Sequence, residues 1–154
     1  MSAALKRRFN IVVLPAPADM ATEIDIVRTR VEQMSSGLDL NAKQPDTDTV
    51  EKIVTIFREL RCGATLDGKQ KLKTTSGVLS TAEAISLLAN SMALAGSFGN
   101  GSIQDHDLAA ALQGAIVKDE DKDSLCWKEY LENVMKKRGS AWLPLYRACR
   151  ELND

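Results

Sequence analysis

The sequence predicts a mainly α-helical fold of about six helices, with one β-hairpin and one short N-terminal strand. Three observations point there. Apolar residues recur at three- and four-residue spacing over most of the chain, as at Val50, Ile53, Val54, Phe57 and Leu60. Aromatic residues are only 5% of the 154, so the core must be built from Leu, Ile, Val, Ala and Met, which suits packed helices better than stacked sheets. Start and stop signals also punctuate the periodic runs: Ser80 and Glu83 stand in capping-box spacing ahead of one, and Gly63 follows another.

Taken in order, Ile11, Val12, Val13 and Leu14 read as a buried strand over 10–14, stopped by Pro15 and Pro17. A helix over 20–36, capped by Asp19 and stopped by Gly37, would bury Ile24, Val27, Val31 and Met34. A polar loop over 41–48 leads to a second helix over 49–62. Asp67-Gly68, set between short alternating runs, predicts a two-residue hairpin turn near 64–73, because Gly tolerates positive φ. The third helix opens at Ser80 and runs to about 98, and its alanines allow a neighbour to approach closely. A fourth helix is expected over 105–117, then a charged, solvated loop over 118–123, then a fifth helix over 124–137. Ser140 would cap a sixth, with Pro144 tolerated in its first turn and Trp142, Leu143, Tyr146, Cys149 and Leu152 facing inward. The first strand has no evident partner. Either it pairs with the hairpin or the chain is part of something larger, and the second is the preferred expectation.

Several function classes are disfavoured. The net charge is −1 with both signs well mixed, so neither nucleic acid nor a membrane surface is an expected partner. No apolar run approaches the roughly 20 residues of a membrane span. The apolar stretch behind Lys6-Arg7-Arg8 is too short for a secretion signal, which leaves a cytoplasmic protein as the expectation. Cys62, Cys126 and Cys149 are odd in number and irregular in spacing, as for reduced cysteines in a helical interior. Residues 63–70 nearly match a phosphate-binding loop. Gln70 stands where a magnesium-binding hydroxyl is needed, however, and a helix rather than a strand precedes, so a plain turn is expected. His106, between two aspartates, reads as solvated. The acidic run over 119–123 lacks the glycine and distal glutamate of a calcium loop, since that register supplies Ser124 and Tyr130. No metal site is expected. Lys6-Arg7-Arg8 is either a surface triplet or the source of an arginine that reaches a phosphate across a subunit boundary, and the spacing leaves both open.

Longer stretches carry a family resemblance. Ala4-Leu5-Lys6-Arg7-Arg8-Phe9-Asn10, followed by an apolar strand and Leu14-Pro15, resembles the end of the AAA+ core of MoxR-type ATPases. There an alanine- and leucine-rich helix leads to an arginine–phenylalanine pair and the last core strand. Phe57-Arg58-Glu59-Leu60-Arg61 resembles the lid of one bacterial branch of that family. So do Ser76-Gly77-Val78 through Ser80-Thr81-Ala82-Glu83-Ala84, and Val117-Lys118-Asp119 with Trp127-Lys128-Glu129-Tyr130-Leu131. The resemblance covers nearly the whole chain.

It implies that residues 1–18 are the remnant of an AAA+ core and that 19–154 form its helical lid. It further implies a ring-forming, chaperone-like ATPase that remodels a protein partner, with ATP and magnesium held by the full-length parent and neither bound tightly by this chain alone. The implied partners are the AAA+ core of the same protein, neighbouring subunits, and a protein bearing a von Willebrand A domain. Arg8 matches the finger that acts in trans on a neighbour's γ-phosphate, with Arg7 as the fallback. Alignment on Gly77 puts Thr81 at the second sensor position, where many members carry arginine. The phosphate loop and the magnesium-binding acidic strand are expected upstream of Met1, which then reads as an internal methionine, and the chain alone is expected to be inactive. The rival expectation is a free-standing helical adaptor that binds proteins and never meets nucleotide.

Overall fold

The computed structural model describes residues 16–38 and 41–153. Among them lie six α-helices and one 3-10 turn: α1 (Met20–Leu38), α2 (Thr47–Cys62), α3 (Thr81–Phe98), α4 (Asp105–Ile116), α5 (Glu120–Asn133), the 3-10 turn Met135–Lys137, and α6 (Leu143–Glu151). α3 is the hub. It packs on α1, α2 and α4, while α4 also packs on α6, and α6 on α5.

Local chemistry explains most of the boundaries. Asp19 accepts the amide of Thr22 at 2.8 Å and Asp46 that of Thr49 at 2.7 Å, each supplying an acceptor for an otherwise orphaned donor. Ser80 and Glu83 form the reciprocal capping box at the start of α3. Gly63 ends α2 at φ 68°, a left-handed position in which a side chain would be strained. Gly101 has a second reason to be glycine: at φ 81°, a Cβ there would stand 2.9 Å from the carbonyl oxygen of Asn41. The buried face of α2 (Val50, Ile53, Val54, Ile56, Phe57, Leu60) meets Val27 and Val31 of α1 and Leu87, Leu88 and Met92 of α3 in one core. Each fully buried side chain of this size stabilises the fold by about 2 kcal/mol. Trp127 stacks on Tyr130 at 5.8 Å within the same core.

The expected hairpin is not formed, and no strand occurs among the described residues. Only a single antiparallel bridge joins Ala64 to Lys71. The reason is that Thr65 and Gln70, not the neighbours of Asp67-Gly68, face each other (Thr65 N to Gln70 O, 2.9 Å). Four residues therefore lie between them. Side chains take the donors that a tight hairpin would pair across: Asp67 accepts the Thr65 hydroxyl and the Lys69 amide, and Thr65 Oγ1 accepts the Gln70 amide. The expected strand over 10–14 lies outside the described residues. The fold is thus a helical bundle rather than helices plus a hairpin.

Smaller expectations also need correction. α1 continues through Gly37, and Met34 is 40% exposed. The segment over 118–123 is not simply a solvated loop, because α5 already begins at Glu120. Its first turn carries Glu120, Asp121 and Asp123, which complement the positive end of the helix. Asp123 is buried and accepts the amides of Lys118 and Asp119 and both the amide and hydroxyl of Ser76. Burial raises its pKa, but these four donors outweigh burial and hold the carboxyl at about 2. Trp142, not Ser140, precedes α6, and Leu152 is exposed. Cys126 and Cys149 are buried as free thiols, whereas Cys62 is exposed. No helix among the described residues is long and apolar enough to cross a membrane.

Candidate functional site

A dense polar cluster forms among α1, α2, the start of α3 and the segment just ahead of α1. Glu23, in the first turn of α1, is wholly buried. A carboxylate is so costly to bury that it requires close partners. α2 supplies two of them from one face, Arg58 and Arg61 at i and i+3 spacing. Arg58 Nη1 donates to Glu23 Oε2 at 2.7 Å, and Arg61 Nη2 donates to both carboxylate oxygens at 2.9 and 3.1 Å. Thr81, the first residue of α3, adds its hydroxyl at 2.8 Å. Burial pushes the Glu23 carboxyl up, but hydrogen bonds from Arg61, Arg58 and Thr81, with the Arg61 charge, hold it below the ordinary value.

The two guanidiniums reach beyond the carboxylate. Arg61 Nη1 donates to the carbonyl of Leu79 at 2.8 Å, just ahead of α3. Arg58 turns the other way and donates to the carbonyls of Pro17 (3.0 Å) and Ala18 (2.8 Å). The cluster therefore joins the entry segment, α1, α2 and the start of α3. It carries two cations against one anion, and each guanidinium side chain keeps about a seventh of its surface in water (14% and 16%).

A second buried carboxylate lies one residue from Arg58 in sequence and points elsewhere. Glu59 accepts the Tyr130 hydroxyl at 2.7 Å and the Leu66 amide at 2.8 Å, and it is paired with Arg138. Burial and the Glu59 charge raise the Tyr130 phenol well above its usual range, so it stays a donor. Arg138 also stacks over Trp142 at 4.6 Å. The cluster borders a crevice of about 430 Å³ rimmed by Lys69 and Lys137.

A groove of about 580 Å³ lies between α3 and α4, lined by Ala93, Ala111, Gly114 and Ala115. Glu83 and Lys118 line it near the start of α3, and Phe98, 88% exposed, lines it at the other end. No group of three or more histidine, cysteine or carboxylate side chains able to hold a metal occurs among the described residues. His106 has a side chain that is 76% exposed and lies 3.3 Å from Asp107.

Of the residues singled out from sequence, Arg8 and Arg7 lie outside the described residues. Thr81 is at the start of α3, but its hydroxyl is engaged by Glu23. Sequence reasoning missed Glu23, Arg58 and Arg61 as a unit. The available signal was the pair of arginines three apart on α2, which the helical period sets at the border of its apolar face rather than opposite it.

Comparison with known proteins adds the family. A family model described as "YehL-like AAA+ ATPase C-terminal domain" matches residues 21–154. Over 153 residues the chain is 30% identical to the uncharacterized protein YehL of Escherichia coli (strain K12), covering 99% of this chain and 41% of that protein. The chain thus spans about two fifths of the length of this relative. No solved structure matches.

Proposed function

The chain belongs to the YehL-like AAA+ ATPase C-terminal domain family, and we propose that it is the helical lid of a MoxR-type ATPase that spends ATP on remodelling a protein partner. In this reading ATP and magnesium are held by a nucleotide-binding core that precedes the lid in the full-length parent. The lid closes over the nucleotide, and Arg8, with Arg7 as the fallback, reaches the γ-phosphate bound by a neighbouring subunit. The protein partner is one bearing a von Willebrand A domain.

One observation carries the reading: two arginines and a buried carboxylate tie the entry segment at Pro17–Ala18 to the start of α3. A lid has to respond to the core through such a connection. The same spot is where the resemblance puts a nucleotide-sensing residue. Thr81 carries no charge for that task and its hydroxyl is already used.

The test is ATP turnover by the full-length protein. Arg8→Ala is expected to lower kcat by about a thousandfold, the lower range for loss of an arginine finger. Turnover at the parent rate would remove the finger and its role in this reading. The adaptor reading has the α3–α4 groove and exposed Phe98 in its favour. It differs in expecting partner binding that is indifferent to ATP.

A further inference from the structure

We propose that Arg58 is a clamp that makes the entry segment and the start of α3 move as one unit. The proposal deepens the lid reading and rests on it for its use in the ATPase cycle. Its geometry stands on its own. A single guanidinium plane donates to two successive main-chain carbonyls, Pro17 and Ala18, and to the carboxylate of Glu23. Glu23 is in turn held by Arg61 and Thr81, and Arg61 also holds the carbonyl of Leu79. An unbroken chain of charge-assisted hydrogen bonds therefore runs from residue 17 to residue 81.

The direction of entry is restricted on the other side as well. Pro17 fixes its own φ, and two residues later Asp19 caps α1. A carbonyl pair held by one planar group cannot swing independently of it, and Arg58 belongs to α2, whose apolar face is locked in the core. Any displacement of the chain at residue 17 is thus delivered to Glu23 and onward to Thr81. Arg58 acts here as a positioning residue and need not touch nucleotide.

Lysine separates a clamp from a merely structural ion pair. Its single nitrogen can satisfy Glu23 but cannot reproduce a fork in which Nη1 holds Glu23 and Pro17 while Nη2 holds Ala18, so the carbonyl pair is no longer held together. Hydrogen exchange in the 154-residue chain reads both ends. The amides of Thr22 and Glu23 are bonded to Asp19, and those of Glu83 and Ala84 are bonded to Ser80. In Arg58→Gln we expect exchange about tenfold faster at both pairs, the size of one lost charged hydrogen bond, with α4 unchanged. In Arg58→Lys we expect the Thr22–Glu23 pair to accelerate while Glu83–Ala84 stays protected. Wild-type exchange at Thr22–Glu23 in both variants, or both pairs moving together in Arg58→Lys, would overturn the clamp. The exchange assay uses no nucleotide, so its failure is distinct from failure of the lid reading, which turnover decides.

Discussion

Glu23 and Glu59 are two fully buried carboxylates, each answered by arginine, yet they do different work. Glu59 is closed in on itself. Its partners are Tyr130, Arg138 and the Leu66 amide, and together they pin the 64–71 loop and the end of α5 onto α2. Glu23 faces the other way. Its arginines keep second acceptors on the main chain, at Pro17, Ala18 and Leu79, so that cluster spans a junction between segments. The same pair chemistry makes a fixed pin in one place and a transmitting joint in the other. What distinguishes them is what else the guanidinium holds.

That difference predicts unequal costs. Glu59→Ala leaves the Tyr130 hydroxyl, the Leu66 amide and Arg138 without their acceptor, and should destabilise the chain by about 3 kcal/mol in chemical denaturation. Glu23→Ala should cost less, about 2 kcal/mol, because both arginines retain main-chain carbonyl acceptors. Equal losses, or the reverse order, would show that the two carboxylates do the same work.

Asp123 sharpens it, being a buried carboxylate held by neutral donors. Its pKa is lowered to about 2 from 3.8, so the native state favours the charged form. The stability it contributes is complete above the unfolded pKa and is lost as pH falls from about 4 towards 2. The wild type should lose about 2 kcal/mol from this group across that window. Asp123→Asn, weaker at neutral pH, should show a flatter profile there and converge with the wild type in acid. Parallel profiles would mean that Asp123 does not titrate in this way.

How much of this was legible in the sequence depended on whether the signal was local. The Ser80–Glu83 box and Gly63 are complete within a few residues, and both act where the spacing predicts. The Asp67-Gly68 turn is also local, but its outcome depended on Thr65 and Asp67 side chains competing for main-chain donors. The start of α5 was misread because Asp123 draws on Ser76, 47 residues away. The Glu23 cluster was the least legible part. Its members come from three helices and meet only through tertiary packing, so no local spacing announces them as a unit. Thr81 was found only through the resemblance, and the structure puts its hydroxyl on a carboxylate that the resemblance did not mention. The α3–α4 groove was foreshadowed only by the alanines of α3.

The entry clamp and the start of α3 are energetically linked through Glu23. A double-mutant cycle of Arg58→Gln and Thr81→Ala, read by chemical denaturation, measures that link directly. These side chains share one carboxylate, so their effects should be non-additive, with a coupling energy of about 1 kcal/mol. Effects that simply sum, to within about 0.3 kcal/mol, would contradict it.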